Sequence, residues 1–444
     1  MNAILELAEI LQARTVVADV RLVEKLRLHV TDTVAAWIAS TQTAEGKALI
    51  AFRDRVGRNA AGGELEADLA AHCALVRLSE IDDIHLRSMT TPGSIAIPSA
   101  MTLATSLPNV NAADVLAAMF AGYEAMIRLG LAIDGPKVLY RGIWPTYFGA
   151  GFAAAAVAAR LLQLSGTHTA HALALALTMA SPAVGQHHAA TTTRWFSVGN
   201  AARNGLTAAL AAQSGFTADL EILRSRLFPE VYGIEPNIAA MTDNAIVFPE
   251  VSLKPWSAAR QTMAATQGLR EVLQAGVRAS DITQITAYVL PPHLKMIDHD
   301  VSPGDRASYL TSLPYQLCIA ALQLQTASDL APETPPPSLQ AFMARIKVIA
   351  DETLLADYPA RWPARIVAEA GPNRHERLIN CIPGDPERPF AEADVQAKFR
   401  RFTTPALGGE VEKFLRLSLN ALQSSESLSL LMREIDGVMA RALT

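Results

Sequence analysis

The hydrophobic periodicity of the sequence changes twice, and this limits the folds open to the chain. Up to about residue 270, apolar residues recur at three- and four-residue steps, as in the segments 22–38 and 113–129, which is typical of α-helices. Between residues 281 and 382, short β-branched segments alternate apolar and polar residues, and helical spacing returns after residue 391. The pattern predicts a mainly α protein with an inserted α+β part.

Three segments follow from these changes in periodicity. Residues 1–270 are predicted to form the first part of a large all-helical domain, residues 271–390 a smaller α+β domain, and residues 391–444 a return to the helical domain. Two domains are reasonable for 444 residues, because one domain typically takes about 100–200. We expect a small-molecule site where the domains meet, since ligands commonly bind there.

Strand and turn residues are concentrated in the α+β part. The β-branched segments 281–290 and 345–350 are predicted to be strands. Segments 364–370 and 377–382 flank Gly371-Pro372-Asn373, which is typical of a β-hairpin turn. Helices are predicted at 312–327 and 338–343.

Composition narrows the classes of function. The formal net charge of −5 gives no basic footprint for nucleic acid or an anionic membrane. Half of the residues are hydrophobic and 18% are charged, which excludes a disordered chain. The uncharged stretches 143–159 and 161–193 are interrupted by glycine and proline, and neither gives the run of about 20 apolar residues that a bilayer span needs.

Other sequence features exclude common chemistries and targeting signals. The three cysteines are far apart and form no Cys-x-x-Cys pair, which argues against a disulfide framework and a structural zinc site. The usual phosphate-loop, dinucleotide, zinc-protease and serine-hydrolase motifs are absent. Glu6 and Glu9 interrupt the apolar N-terminus, which predicts an amphipathic helix and not a signal peptide. A cytoplasmic protein without a metal or cofactor is expected.

The densest group of ionisable residues lies in the segment 80–94. Asp82, Asp83 and His85 precede Arg87 and a hydroxyl-rich turn that contains Thr91. Carboxylates and an imidazole can transfer protons, and a guanidinium can orient a carboxylate substrate. The alternative interpretation is a solvated helix end followed by a loop.

Three further segments are candidates for ligand contacts. Trp144 lies at the head of an Ala-rich helix, whose N-terminus favours anions, although an ordinary helix start has the same pattern. His187-His188 precede Arg194, and together these residues can hold a polyanion; a shared metal is disfavoured because adjacent helical residues point to different faces. Lys254, beside proline and tryptophan, is a candidate base if desolvation lowers its pKa, and a surface lysine otherwise.

Taken together and in this order, the segments resemble the MmgE/PrpD family, and the resemblance covers nearly the whole chain. It rests on the colinear order of several moderately specific motifs. They are Asp82–Pro98, Gly142–Leu162, Gly199–Gly205, Lys254–Ser257, Ser312–Tyr315 and Lys398–Phe399.

The resemblance has implications for fold and chemistry. It implies a helical domain built from both chain ends, an inserted α+β lid, a homodimer, and an active site in the cleft between domains. It also implies removal or shift of a proton beside a carboxylate of a small di- or tricarboxylate, without an iron–sulfur cluster.

The family's site residues carry over unevenly. The acidic pair falls on Asp82 and Asp83, and one cleft lysine on Lys254. A second lysine falls on Arg194, which keeps the charge but cannot act as a base. Two family histidines fall on Thr91 and Trp144, so the imidazoles expected near the substrate are absent. Trp144 should also make the pocket smaller and more apolar.

Several residues are candidates to compensate for these absences. His85, His187 and His188 are the candidate replacement imidazoles, and Thr91 can donate a hydrogen bond in place of the histidine. A proton next to a carboxylate is very weakly acidic, so cations must stabilise the enolate-like state. Arg194 and Lys254 are the leading candidates for this role. Arg87 and Arg260 are weaker ones.

The sequence therefore predicts a cofactor-independent lyase that acts on a small carboxylate, with dehydration as the leading reaction. Epimerisation, isomerisation and decarboxylation need similar chemistry and remain alternatives. The absent imidazoles leave open a non-catalytic binding or scaffold protein.

Overall fold

A computed structural model of the chain describes residues 2–14, 19–59, 64–181, 191–322 and 337–443. The described residues fall into two compact units. The larger is drawn from Met1–Gly185, Thr192–Leu253 and Phe390–Thr444, and the smaller from Lys254–Pro389. The larger unit is helical and the smaller combines helices with one sheet, which confirms the predicted mainly α fold with an α+β part.

The helices and strands have the following bounds. The larger unit contains α1 Ala3–Ala13, α2 Val20–Ser40, α3 Ala44–Asn59, α4 Glu64–Leu78, α5 Gly93–Ser106, α6 Ala112–Ala132, α7 Gly135–Leu139, α8 Pro145–Leu161, α9 Gly166–Thr178, α10 Thr193–Gln213 and α11 Ala239–Thr242. The smaller unit contains α12 Arg260–Gln274, α13 Pro291–Ile297, α14 Arg306–Thr311, α15 Leu313–Leu322, α16 Pro337–Met343, β1 Ile282–Val289, β2 Ile346–Ala350, β3 Ala364–Ala370 and β4 Asn373–Ile379. The chain then returns to the larger unit with α17 Glu392–Leu407, α18 Val411–Leu419 and α19 Ser425–Arg441.

Small residues allow the central helices of the larger unit to pack closely. Helix α8 packs against α6 and α10. A Cβ atom on Gly205 of α10 would lie 2.2 Å from the carbonyl oxygen of Gly151 on α8, so the two backbones meet where neither has a side chain. The Ala-rich composition of these segments is therefore explained by close helix packing.

Helix α6 is the one described helix that is long and apolar enough to cross a membrane. Its most apolar window has a mean hydropathy of 1.4, and 94% of that window is buried inside the protein. Burial of this kind is typical of the core helix of a globular protein.

Helix α2 presents a charged face to the interior. Asp19 caps its start by accepting hydrogen bonds from the backbone N–H groups of Arg21 and Leu22. Lys25, His29 and Asp32 then follow at i, i+4 and i+7, so they share one face of the helix. His29 and Asp32 are fully buried, and this face lies beside the candidate site.

The smaller unit contains a four-stranded sheet in the order β2-β1-β3-β4, in which β1 and β2 are parallel and the other neighbours antiparallel. Helix α12 packs on β3 and β4. The predicted hairpin is present, but the predicted start of its second strand at residue 377 is wrong. Ala370 pairs directly with Asn373, so Gly371 (φ +56°) and Pro372 alone form the turn and β4 begins four residues earlier.

Candidate active site

The loop between α4 and α5, residues 79–92, forms the centre of the site. Glu80 adopts a left-handed backbone conformation with φ of 56°, which is uncommon for a residue other than glycine and costs about 1–3 kcal/mol. The Nη1 atom of Arg77 lies 2.8 Å from Glu80 Oε1 and 3.3 Å from Asp82 Oδ1. All three side chains are buried. One guanidinium therefore holds two carboxylates together at a strained turn.

Asp83, the neighbour of Asp82, has a different environment. Its Oδ2 accepts hydrogen bonds from Tyr123 Oη at 2.7 Å and His29 Nδ1 at 2.9 Å. Its Oδ1 accepts from the backbone N–H of Gly93 at 2.8 Å, at the start of α5. Three donors occupy this buried carboxylate, so the geometry favours a positioning role for Asp83 and leaves Asp82 as the carboxylate beside Arg77.

Substitution of Gly93 by alanine should destabilise the larger unit by about 1–3 kcal/mol. The added Cβ would lie 2.4 Å from Asp83 Oδ2 and 2.5 Å from Tyr123 Oη, so one of these hydrogen bonds must break or α5 must move. Urea unfolding measures the change. Gly437→Ala is the matched control, because its Cβ meets nothing closer than 3.5 Å in α19 and should stabilise by about 0.5–1 kcal/mol. Equal stabilities for the two variants would contradict this account of Gly93.

Helix α2 contributes two further ionisable groups near Asp83, His29 and Lys25, which were not predicted from the sequence. Burial lowers the pKa of His29 despite its bond to Asp83. Burial also lowers the pKa of Lys25 to about 8, and its Nζ donates to the carbonyl oxygens of Pro249 and Val251 at 2.8 and 3.1 Å. The spacing of charged residues along a buried helix face was the sequence feature that could have identified them.

His85 is enclosed within the same loop. Its Nδ1 accepts the backbone N–H of Ser88 at 3.1 Å, and its Nε2 lies 3.2 Å from Glu250 Oε2. Burial lowers the pKa of His85, and the hydrogen bond from His85 lowers the pKa of Glu250. Arg87, which is exposed, completes the cluster at 3.0 Å from Glu250. Since both ring nitrogens are engaged, the imidazole ties the loop to the segment around Glu250.

A second part of the site lies at the starts of α8 and α10. Trp144 is buried at the N-terminus of α8, and its ring stacks on Tyr147 with 5.4 Å between centroids and 17° between planes. The guanidinium carbon of Arg194 lies 4.8 Å from the centre of the Trp144 ring. Thr91 Oγ1 lies 3.3 Å from Thr146 Oγ1, two residues after Trp144. The structure thus brings Trp144 and Arg194 into contact and places Thr91 against the first turn of α8.

Tyr147 connects the two parts of the site. Burial raises the pKa of its hydroxyl to about 12, and the positive charges of Arg194 and Arg77 partly oppose this shift. The carboxylates of Glu80 and Asp82 also act on its ionisation. Tyr147 therefore lies within electrostatic reach of both Arg194 and the carboxylate pair.

Helix α17 contacts the loop between α4 and α5 through a buried lysine. Lys398 Nζ on α17 lies 2.6 Å from Asp32 Oδ1 and donates to the carbonyl oxygen of Ile81 at 2.7 Å. Both side chains are buried, and burial raises the pKa of Asp32 to about 6 despite the nearby ammonium. This ion pair was not predicted.

The remaining predicted site residues are not among the described residues of the larger unit. Lys254 and Arg260 are both buried and belong to the smaller unit. Arg260 Nη2 binds the carboxylate of Asp385 at 2.9 and 2.6 Å. His187 lies outside the described residues, as does His188. Within the part of the chain that the structure describes, no group of three or more histidine, cysteine, aspartate or glutamate side chains is arranged to hold a metal ion.

Comparison with known proteins identifies the family. The MmgE/PrpD N-terminal domain profile matches residues 6–231, and the MmgE/PrpD C-terminal domain profile matches residues 256–421. The chain belongs to the MmgE/PrpD family. This confirms the resemblance inferred from the sequence motifs, and the N-terminal match contains both parts of the site described above.

Among curated relatives of the chain, cis-aconitate decarboxylase of Aspergillus terreus is 30% identical over 174 residues, which is 37% of this chain and 35% of that protein. A cis-aconitate decarboxylase-like protein of Aspergillus oryzae is 31% identical over 151 residues, which is 32% of this chain and 31% of that protein. The alignments therefore span about a third of the length of these relatives.

Proposed function

We propose that this MmgE/PrpD protein is a lyase that removes a proton beside the carboxylate of a small organic acid, with loss of water as the leading reaction. The observation that carries the proposal is the placement of Arg194. Among the described residues, no carboxylate lies within 4 Å of its half-buried guanidinium, which rests on Trp144. A cation that has no ion pair among the described residues suits an anionic substrate.

The residues of the larger unit can divide the chemistry between them. A substrate carboxylate that pairs with Arg194 delocalises charge when the adjacent C–H bond ionises, and the guanidinium stabilises that charge. Asp82, or Glu80 beside it, is the proposed proton acceptor, since Arg77 holds these two carboxylates together in the loop between α4 and α5. Thr91 is proposed to donate a hydrogen bond to the substrate, and Lys254 remains a candidate base from the family resemblance.

Decarboxylation is the second candidate reaction. It is favoured by the names of the Aspergillus relatives, which are described as cis-aconitate decarboxylases. Loss of carbon dioxide generates a carbanion that needs the same cationic stabilisation, so the Arg194 site suits either reaction. Independence of cofactors, a homodimer and a cytoplasmic location belong to the same proposal.

Incubation of the full chain in D₂O with a panel of hydroxy-mono-, di- and tricarboxylates, together with cis-aconitate, tests the proposal. We expect NMR to show an alkene product from at least one hydroxy acid, because proton removal is coupled to loss of water. Release of carbon dioxide from cis-aconitate would assign decarboxylation instead. Absence of deuterium exchange, alkene formation and carbon dioxide release across the panel would contradict a lyase.

A further inference from the structure

The hydroxyl of Tyr147 is buried and has no hydrogen-bond partner among the described residues. Tyr147 is 1% exposed, and among the described residues no donor or acceptor lies within hydrogen-bonding distance of its Oη. Buried hydroxyls in proteins nearly always have a partner, because loss of their hydration must be compensated. An unpaired hydroxyl at this position therefore requires an explanation.

The surroundings of Tyr147 indicate what that partner is. The ring of Tyr147 stacks on the ring of Trp144, and the guanidinium of Arg194 also lies against the Trp144 ring. The pKa of about 12 keeps the hydroxyl protonated at physiological pH, so it can donate a hydrogen bond. An acceptor can satisfy the protonated hydroxyl, and an acceptor that also pairs with the guanidinium of Arg194 is most favourable when it is an anion.

We propose that Tyr147 is a specificity-determining residue whose hydroxyl donates a hydrogen bond to the same substrate carboxylate that pairs with Arg194. Trp144, stacked on Tyr147, then forms an apolar wall beside the carbon that carries this carboxylate. The inference rests on the proposed function and narrows its substrate class. One guanidinium, one neutral donor and two aromatic rings suit a single carboxylate on a short uncharged chain.

Isothermal titration calorimetry with succinate, crotonate and tricarballylate tests this inference in the full chain. These probes carry no leaving group, so their binding does not depend on turnover. Tyr147→Phe should weaken binding of the tightest probe about tenfold, since a hydrogen bond to a charged group contributes at least this much. Tyr232→Phe is the matched control, because it removes a hydroxyl from another aromatic cluster of the larger unit and should leave affinity unchanged.

Thermal unfolding separates this role from a structural one. Tyr147→Phe removes an unpaired buried hydroxyl and should not lower Tm, whereas loss of a structural hydrogen bond would lower it. Unchanged probe affinity in Tyr147→Phe, or a parent protein that binds none of the three probes, would overturn the inference. Failure of the lyase proposal is distinct, because it appears as absent turnover in D₂O while probe binding still depends on Tyr147.

Discussion

Replacement of Arg194 by glutamine is expected to lower kcat/KM by about a hundredfold or more on the substrate found in the D₂O panel, because it removes a preorganised charge from the developing anion. The guanidinium is held on Trp144 at the start of α10, and no described carboxylate competes for it within 4 Å. The loss should appear in kcat as well as in KM, since the charge to be stabilised grows as the C–H bond ionises.

Two further variants test this explanation. Arg194→Lys keeps the charge but loses the planar fork and its stacking on the indole, so it should recover only part of the activity. Arg224→Gln removes an exposed arginine of the larger unit that pairs with Glu221 at the surface, and its kinetics should match those of the parent. A folded Arg194→Gln protein with kcat/KM within twofold of the parent would exclude Arg194 from the site.

Two helix starts near the site, those of α5 and α8, could be predicted from the sequence. Trp144 directly precedes α8, where Pro145 and the Ala-rich pattern mark the helix boundary, whereas no glycine or proline marks the start of α10, which carries Arg194. Thr91 likewise precedes the Pro-Gly turn that begins α5. Local sequence determines helix starts, so residues tied to them are found without knowledge of the tertiary fold.

The different environments of Asp82 and Asp83 could not be predicted in this way. The two residues are adjacent, yet Arg77 holds the first, while His29, Tyr123 and Gly93 hold the second. Tyr123 and His29 are 40 and 54 residues away in sequence. Which aspartate is occupied by structural donors therefore depends on helix packing, which periodicity alone does not determine.

The buried charged residues of the apolar helix α6 were also not predicted from the sequence. Glu124 of α6 is fully buried, yet it binds Arg128 at 3.1 Å and accepts the backbone N–H groups of Val247 and Phe248 at 2.9 and 3.0 Å. This network fixes the segment that carries Phe248 against Tyr123 and His29. The i, i+4 spacing of Glu124 and Arg128 in an otherwise apolar stretch was visible in the sequence.

Replacement of Lys398 by methionine is expected to destabilise the larger unit by about 3–5 kcal/mol at neutral pH, because it leaves the buried carboxylate of Asp32 without its cation. The carbonyl oxygen of Ile81 also loses a donor. Urea unfolding provides the measurement. Lys413→Met is the matched control, since Lys413 pairs with Glu434 at the surface of the same C-terminal segment and should contribute at most about 1 kcal/mol.

The loss of stability in Lys398→Met should depend on pH, because it arises from the carboxyl group of Asp32, which can take up a proton. Burial already raises the pKa of Asp32 to about 6, and removal of the ammonium raises it further. Above about pH 4 the carboxyl of Asp32 has lost its proton in the unfolded chain but keeps it in the folded variant. The free energy of unfolding of Lys398→Met therefore falls as pH rises from about 4 toward the pKa of Asp32 in the folded variant. The difference in the free energy of unfolding between parent and variant should therefore be smaller at pH 5 than at pH 7.

Addition of Asp32→Asn to Lys398→Met should restore most of the stability and abolish the extra pH dependence. A double variant as unstable as Lys398→Met would show that the buried charge is not the cause.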